Sequence, residues 1–358
     1  MKKVTSLKDI AQKAGVSAAL VSYVLNNTRE KRVNKETAQK IRDIAGKLNY
    51  TINQVARSLK LNKTNTLGLI VSNISNPFSA SLARIIENES AKYNYTTIFG
   101  SSDEDAHKFE KLMNTLINRK VDGLILSPPS GCKNFISRLQ QQGIPFVLLD
   151  RYYPAITTNY IALDNYTASF DAVQHLIDTG RKRIGMITYR SDLFHLQERK
   201  RGYISALKKN NISFSQKWLK LVGIGDGKSE IQHAVDDLLS IDPPVDAVLL
   251  GSNSIATCSL KYINTLPVKV PEQVAIISFD QSEILDVFYS PVTYIKQPLE
   301  AIGQLAIKSL LNTMGNPSSI TALNVKAELI IQKSTGRLNP DTKYNKLFNQ
   351  LHNPVLHS

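Results

Sequence analysis

Residues 8–27 read KDIAQKAGVSAALVSYVLNN: a short helical stretch, a glycine-containing turn and a second helical stretch. Helix-turn-helix spacing of this kind puts the second helix where its side chains can reach base edges in a DNA major groove. The residues so placed are Ser17, Ala18, Ala19, Leu20, Ser22, Tyr23 and Asn26. Ala18 and Ala19 offer methyl contacts suited to the C5-methyl of thymine, and Tyr23 offers a single hydroxyl. Charge coincides with the motif. Residues 1–63 hold 14 Lys and Arg against 4 Asp and Glu, so ten of the chain's 14 net positive charges lie there and +4 remains for the other 295 residues. A phosphate-facing surface requires such a concentration; a solvated basic face is the alternative that charge alone leaves open.

Other chemistries are poorly supplied. Gly223-Ile-Gly-Asp-Gly-Lys-Ser229 approaches a phosphate-binding loop, but that motif needs glycine at position 222, where the chain has Val222. Neither GxGxxG nor GxSxG occurs, and the six histidines, at 107, 175, 195, 233, 352 and 357, do not fall at metal-ligand spacings. No catalytic residues, no metal and no cofactor are expected, and the chain reads as a non-enzyme. Cys132 and Cys258 lie far apart and form no CxxC, as free thiols of a reducing compartment do. The first residues lack the apolar core of an export signal, and no apolar run approaches the roughly 20 residues that span a bilayer. The expectation is a cytoplasmic protein without a membrane role. Its 42% hydrophobic and 21% charged content is ordinary for a globular chain.

The elements that must hold these residues follow from periodicity and capping. Ser6 caps a first helix with Asp9 three positions on, and Leu7, Ile10, Ala11 and Ala14 form its apolar stripe. Ser17 caps the second, where Leu20, Val21, Val24 and Leu25 point inward. Asn34 caps a third, in which Ala38, Ile41, Ile44, Ala45 and Leu48 recur at helical spacing. These define an all-α head over residues 1–50, followed by a polar, basic bridge over 51–65 with one short possible helix from Asn53 to Leu59. From Thr66 onward, β-branched runs alternate with amphipathic helices: 67–71, 95–100, 122–127, 145–150, 184–188, 247–251 and 274–280. That alternation predicts parallel sheets covered by helices on both faces. Leu67-Gly-Leu-Ile-Val resembles Ile184-Gly-Met-Ile-Thr 117 residues later, and Val121-Asp-Gly resembles Val245-Asp-Ala 124 residues later. Two doubly wound halves explain these near-equal offsets, with chance likeness of buried strands as the alternative. Two such halves leave a ligand cleft between the carboxyl ends of their strands.

SLKDIAQKAGVS, VSYVLNN, VNKETAQKIRDIAGKLNY, NQVARSLK, TNTLGLIVSNISNPF, VDGLIL, LLDR, HLIDTGRKRIGMI, ERKRGY, IKQPLEAIGQLA and ELIIQKSTGR follow one another in this order. In order and spacing they resemble the LacI/GalR family of bacterial transcription regulators, from about Val4 to Arg337. The resemblance implies a homodimer whose heads read operator half-sites and a periplasmic-binding-protein-like core that holds an effector, a sugar or sugar phosphate. The core, 66–338, would comprise an N-subdomain of about 66–162 and 294–322 and a C-subdomain of about 163–293 and 323–338. The tail 339–358 lies past the match; Tyr344, Leu347, Phe348 and Leu351 share one helical stripe there, fit either for tetramer contacts or for a docked or frayed end.

The same resemblance implies roles. Asn53, Val55, Ala56 and Leu59 lie in the family's hinge helix, from which a leucine wedges into the minor groove; Leu59 has that position, or packs as a linker leucine. Tyr23 stands where the family commonly has Arg, and two extra residues separate Asn26 from Val33, so the operator sequence does not carry over. Arg199 of R-x-x-G is expected to clamp hydroxyls or an anion, and Asp280 after Phe279 to accept sugar hydroxyl bonds; a structural ion pair at the subdomain seam is the other reading of both. Asn253 matches the first residue of a family Asn-Asp pair, but the second is Ser254. Asp150 and Phe78 are further effector-site residues, and His195 lies either there or on a surface loop. A sugar-binding transport or sensor protein without a DNA role, and a sugar or nucleotide enzyme, are the competing functions; the first has no use for the head, and the second would show turnover. Repressor or activator, and inducer or corepressor, stay open.

Overall fold

The structure is a computed structural model that describes residues 5–26, 33–50, 63–225 and 227–336. It falls into two units, 1–64 and 65–358. In the first, α1 (Leu7–Ala14), α2 (Ala18–Leu25) and α3 (Lys35–Lys47) surround one small core. Ser6 closes a capping box on α1: its hydroxyl accepts from Asp9 N–H and its own N–H donates to the Asp9 carboxylate at 2.8 Å. Gly15 ends α1 with a left-handed φ of 71°, which lets the chain turn sharply into α2. Ser17 and Asn34 cap α2 and α3. Ile10, Val21, Val24 and Ile41 are fully buried at the centre. Each such side chain contributes about 1.5–3 kcal/mol on burial, so four residues hold much of this small unit.

The second unit carries two six-stranded sheets. The first sheet has the order β2 (Thr96–Ser101), β1 (Thr66–Val71), β3 (Gly123–Leu126), β4 (Phe146–Leu149), β5 (Tyr160–Leu163) and β11 (Ala322–Val325). The second repeats the scheme: β7 (Leu219–Val222), β6 (Ile184–Tyr189), β8 (Ala247–Leu250), β9 (Ala275–Phe279), β10 (Thr293–Lys296) and β12 (Glu328–Ile330). Every pairing is parallel except β10 with β12. The strands alike in sequence, β1 with β6 and β3 with β8, hold equivalent places in the two orders, so the weak repeat marks two halves of one architecture.

Helices cover both faces, as parallel sheets require. On the first sheet, α4 (Pro77–Lys92) and α12 (Leu299–Gly315) bury one face, and α5 (Ala106–Asn118) and α6 (Lys133–Gln141) the other. On the second, α7 (Asn165–Asp178) and α8 (Phe194–Lys209) oppose α9 (Lys228–Ser240), α10 (Asn253–Ile263) and the short α11 (Glu283–Val287). The chain passes between the sheets three times, after β5, after β10 and after β11. The second and third passages correct the expected boundaries at 294 and 322: β10 pairs with β9 and belongs to the second sheet, and β11 runs to Val325 in the first. Strand membership depends on the partner across the ladder, which a four-residue run does not specify.

Candidate functional site

The strand ends of the two sheets face one another across a cleft of about 1800 Å³. The sheet order reverses between β1 and β3 and between β6 and β8, and such switch points open crevices at the carboxyl ends of strands. Asp150 follows β4 and Asp280 follows β9, at equivalent places in the two halves. Asp150 N–H donates to Ile161 O of β5 at 2.9 Å, and Asp280 N–H to Ile295 O of β10 at 3.1 Å. Both then turn left-handed, with φ of 65° and 69°. Aspartate tolerates that region better than most residues, and strain there is commonly found at functional sites. Both line the cleft, and both are buried.

Arg199 projects from α8 into the same cleft and is only 4% exposed. Its Nε donates to Asn165 Oδ1 at 2.7 Å and its Nη1 to Gly251 O at 2.9 Å. The guanidinium lies 3.9 Å from the centre of the Phe279 ring, a cation–π stack. Asn165 is itself held by donating to Leu163 O at 3.0 Å. Two of the five guanidinium N–H groups are thus used in fixing its position, and three remain for a ligand. Gly202, one turn on, explains the motif's glycine: a Cβ there would meet Tyr166 O at 2.2 Å, so only glycine lets α8 close on α7. Arg199 lies beyond 4.0 Å ion-pair contact with Asp280, so its direct bonds go to neutral groups, while the nearby charges of Asp280 and Asp150 favour its charged form.

His195, in the first turn of α8, is buried and lines the cleft, not a surface loop. Burial, with the charges of Arg151 and Arg199, holds its pKa well below the ordinary value, so the ring is neutral. Asn253 starts α10, and Phe78 lies in the first turn of α4, half-buried against the core. Beside Asn253, Ser254 is exposed and supplies no carboxylate. Buried polar atoms without hydrogen-bond partners accumulate here: Asp150 Oδ1, Arg151 Nε, His195 Nδ1, Asn253 Nδ2, Ser282 Oγ and Gln297 Oε1. Buried polar groups are ordinarily satisfied, so this concentration marks a surface complementary to something with donors and acceptors of its own.

Three groups have positioning roles not assigned from the sequence, although Arg151 lies in LLDR and Gln297 in IKQPLEAIGQLA. Arg151 meets Glu104 through two bonds of 2.7 Å, from 47 residues away. Gln297 Nε2 donates to Asp280 Oδ1 at 2.5 Å, and Asn165 reaches Arg199 across 34 residues. Burial pushes the Asp150 carboxyl up to about 6, against the pull of Arg151 and Arg199. Ser130 Oγ donates to Asp192 and the Tyr152 ring meets Phe194 edge-on at 5.1 Å, so the two halves touch along one margin of the cleft.

On the head, Ala19 and Tyr23 lie four residues apart on the exposed face of α2. Ala18 and Leu20, expected near the bases, are half-buried against the head core. Ser17 Oγ accepts from Leu20 N–H, and Asn26 Nδ2 donates to Ser22 O and Ser22 Oγ at 2.8 and 3.2 Å. Asn53, Val55, Ala56 and Leu59, and the tail from 339, lie outside the described residues. Among the described residues no group of three His, Cys, Asp or Glu could hold a metal, and no helix is long and apolar enough to cross a membrane.

Residues 6–53 match the bacterial regulatory proteins of the lacI family, and residues 64–333 match the periplasmic binding proteins and sugar binding domain of the LacI family. The chain is 30% identical over 317 residues to the ribose operon repressor of Haemophilus influenzae, covering 87% of this chain and 93% of that protein. It is 31% identical over 309 residues to the transcriptional repressor PurR of Aliivibrio fischeri, covering 86% and 90%. Among solved structures, the lac repressor dimer bound to operator and the anti-inducer ONPF superposes with a TM-score of 0.83 at 20% identity, over 93% of this chain and 99% of that one, a likeness of fold.

Proposed function

Because this chain belongs to the LacI family of bacterial regulatory proteins, we propose that it represses transcription from an operator and that a small molecule in the core cleft sets how tightly it holds the DNA. It is a DNA-binding regulator with an effector-binding core, and it works as a dimer on two half-sites. The observation that carries the effector reading is the set of unpartnered buried atoms around Asp150 of the first half and Arg199 and Asp280 of the second. Carboxylates that accept and a guanidinium that donates suit a polyhydroxylated ligand, whose hydroxyls do both. Phe78 supplies an apolar face, and His195 and Asn253 supply further polar contacts.

An effector changes operator affinity only through different affinities for two arrangements of the protein. A ligand touching both halves of the cleft has that property, because closing and opening alter its contacts. We assign the minor-groove wedge to Leu59. We read the chain as a non-enzyme acting in the cytoplasm, where its DNA lies. Selection of bound duplexes from a random pool, followed by anisotropy titrations with and without metabolites, tests the whole reading. One enriched motif whose affinity shifts at least about tenfold with a metabolite is expected, within the usual range of allosteric coupling. Binding no tighter than to bulk duplex, or indifference to every metabolite, overturns it.

A further inference from the structure

Among the described residues, eight carboxylates and five Lys or Arg side chains line the cleft, three negative charges in excess, although the chain as a whole is net +14. The imbalance persists at its centre. Glu104 takes both Nη groups of Arg151 through two hydrogen bonds. Arg151 also meets Asp150 Oδ2, but only at 3.8 Å and while bound to Glu104, so Glu104, Asp150 and Asp280 share two cations. The second, Arg199, turns its bonded N–H groups to Asn165 and Gly251 and lies beyond 4.0 Å ion-pair contact with Asp150 or Asp280. His195 beside them is neutral. Asp280 has the Gln297 amide, but Asp150 Oδ1 is buried with no partner, and so is the acceptor Gln297 Oε1. A buried carboxylate whose charge is only partly compensated is expensive. A neutral hydroxyl can donate to it yet leaves the charge in place; a phosphate adds to the excess. An ammonium group donates and neutralises together, through a charge-assisted bond.

We propose that the effector carries a protonated amine on a polyhydroxylated frame, as an amino sugar does, with the amine at Asp150 and hydroxyls shared between Arg199 and Asp280. The inference rests on the cleft being the effector site and narrows its ligand, setting sugar phosphates aside. The titration of Asp150 agrees. Burial is its largest perturbation, Arg151 and Arg199 pull it down, and Asp280 and Glu104 push it up. An ammonium against it favours the ionised form, so amine affinity falls as pH drops through about 6, and the affinity of a hydroxyl twin changes less.

Isothermal titration of the full-length protein at pH 7.5 with matched probes tests this: D-glucosamine, D-glucose and D-glucose 6-phosphate, then the galacto and manno series and amino-cyclitols. The amine of some matched set is expected to bind about tenfold or more tighter than its hydroxyl twin, with the phosphate weakest. Asp150→Asn should remove that preference; where this variant does not fold, loss of wild-type amine affinity between pH 7.5 and 5.0 decides. A neutral or phosphorylated probe binding as tightly as its amine twin, or no amine binding at all, overturns the proposal. Release from operator by a neutral or anionic metabolite alone overturns only the charge inference. An operator complex indifferent to every metabolite overturns the effector-site reading beneath it.

Discussion

Asp150 and Asp280 show how much one side chain is asked to do in this protein. Each ends a buried strand, turns left-handed and brings a carboxylate into the cleft. The Asp150 carboxyl, pushed up from 3.8 to about 6, favours its protonated form in the fold. Its contribution to stability is therefore full below about pH 4 and is lost as pH rises through 6. Asp150→Asn stays neutral and removes that loss. Urea unfolding at pH 7.5 is expected to find the variant more stable by up to about 3 kcal/mol, and similar to the wild type at pH 4; a less stable variant at pH 7.5 would show that the charge is compensated. At the DNA end, Ala19 and Tyr23 share the exposed face of α2. A lost methyl contact is worth about 0.8 kcal/mol, roughly a fourfold change. Uracil in place of thymine beneath the alanines should weaken binding by that factor, and equal affinity excludes methyl reading.

Elements decide whether those side chains arrive. Arg199 depends on the packing of α8 against α7, and that packing depends on Gly202. Gly202→Ala forces a Cβ toward Tyr166 O and parts the helices. Overpacking of this kind costs about 1–3 kcal/mol, and displacement of Arg199 should weaken effector binding by about tenfold or more. Gly46, in α3 of the head, provides the contrast, because nothing lies within 4 Å of its added Cβ. Gly46→Ala should stabilise the head by up to about 1 kcal/mol, from helix propensity alone. Thermal melts of both variants check the pair; equal shifts in the same direction would contradict the close approach at Gly202.

At the scale of the whole molecule, positive charge is segregated into the first 63 residues and negative charge into the cleft of the core. Operator affinity should therefore depend steeply on salt. For 6–10 phosphate contacts, affinity falls by about 10³–10⁵ between 50 and 200 mM, and a flat salt profile would remove the basic head from phosphate binding. Leu59→Ala should weaken operator binding at least about tenfold, as loss of an intercalating wedge does, without moving the melting of the head; unchanged affinity and bend would remove Leu59 from that role. By itself the sequence determined the helix caps, the DNA-reading motif, the alternating strands and the two-fold repeat, because capping, periodicity and charge act between residues a few positions apart. It also named Asp150, Arg199, Asn253 and Asp280 through family motifs. Only the tertiary structure decided that Glu104 binds Arg151, that Asn165 and Gly251 fix Arg199, that Gln297 holds Asp280, and that β10 and β11 exchange the boundaries expected of them. Those contacts join residues 17 to 52 positions apart or strands from different passages of the chain, and burial, which creates both the shifted Asp150 and its unpartnered oxygen, has no local signature.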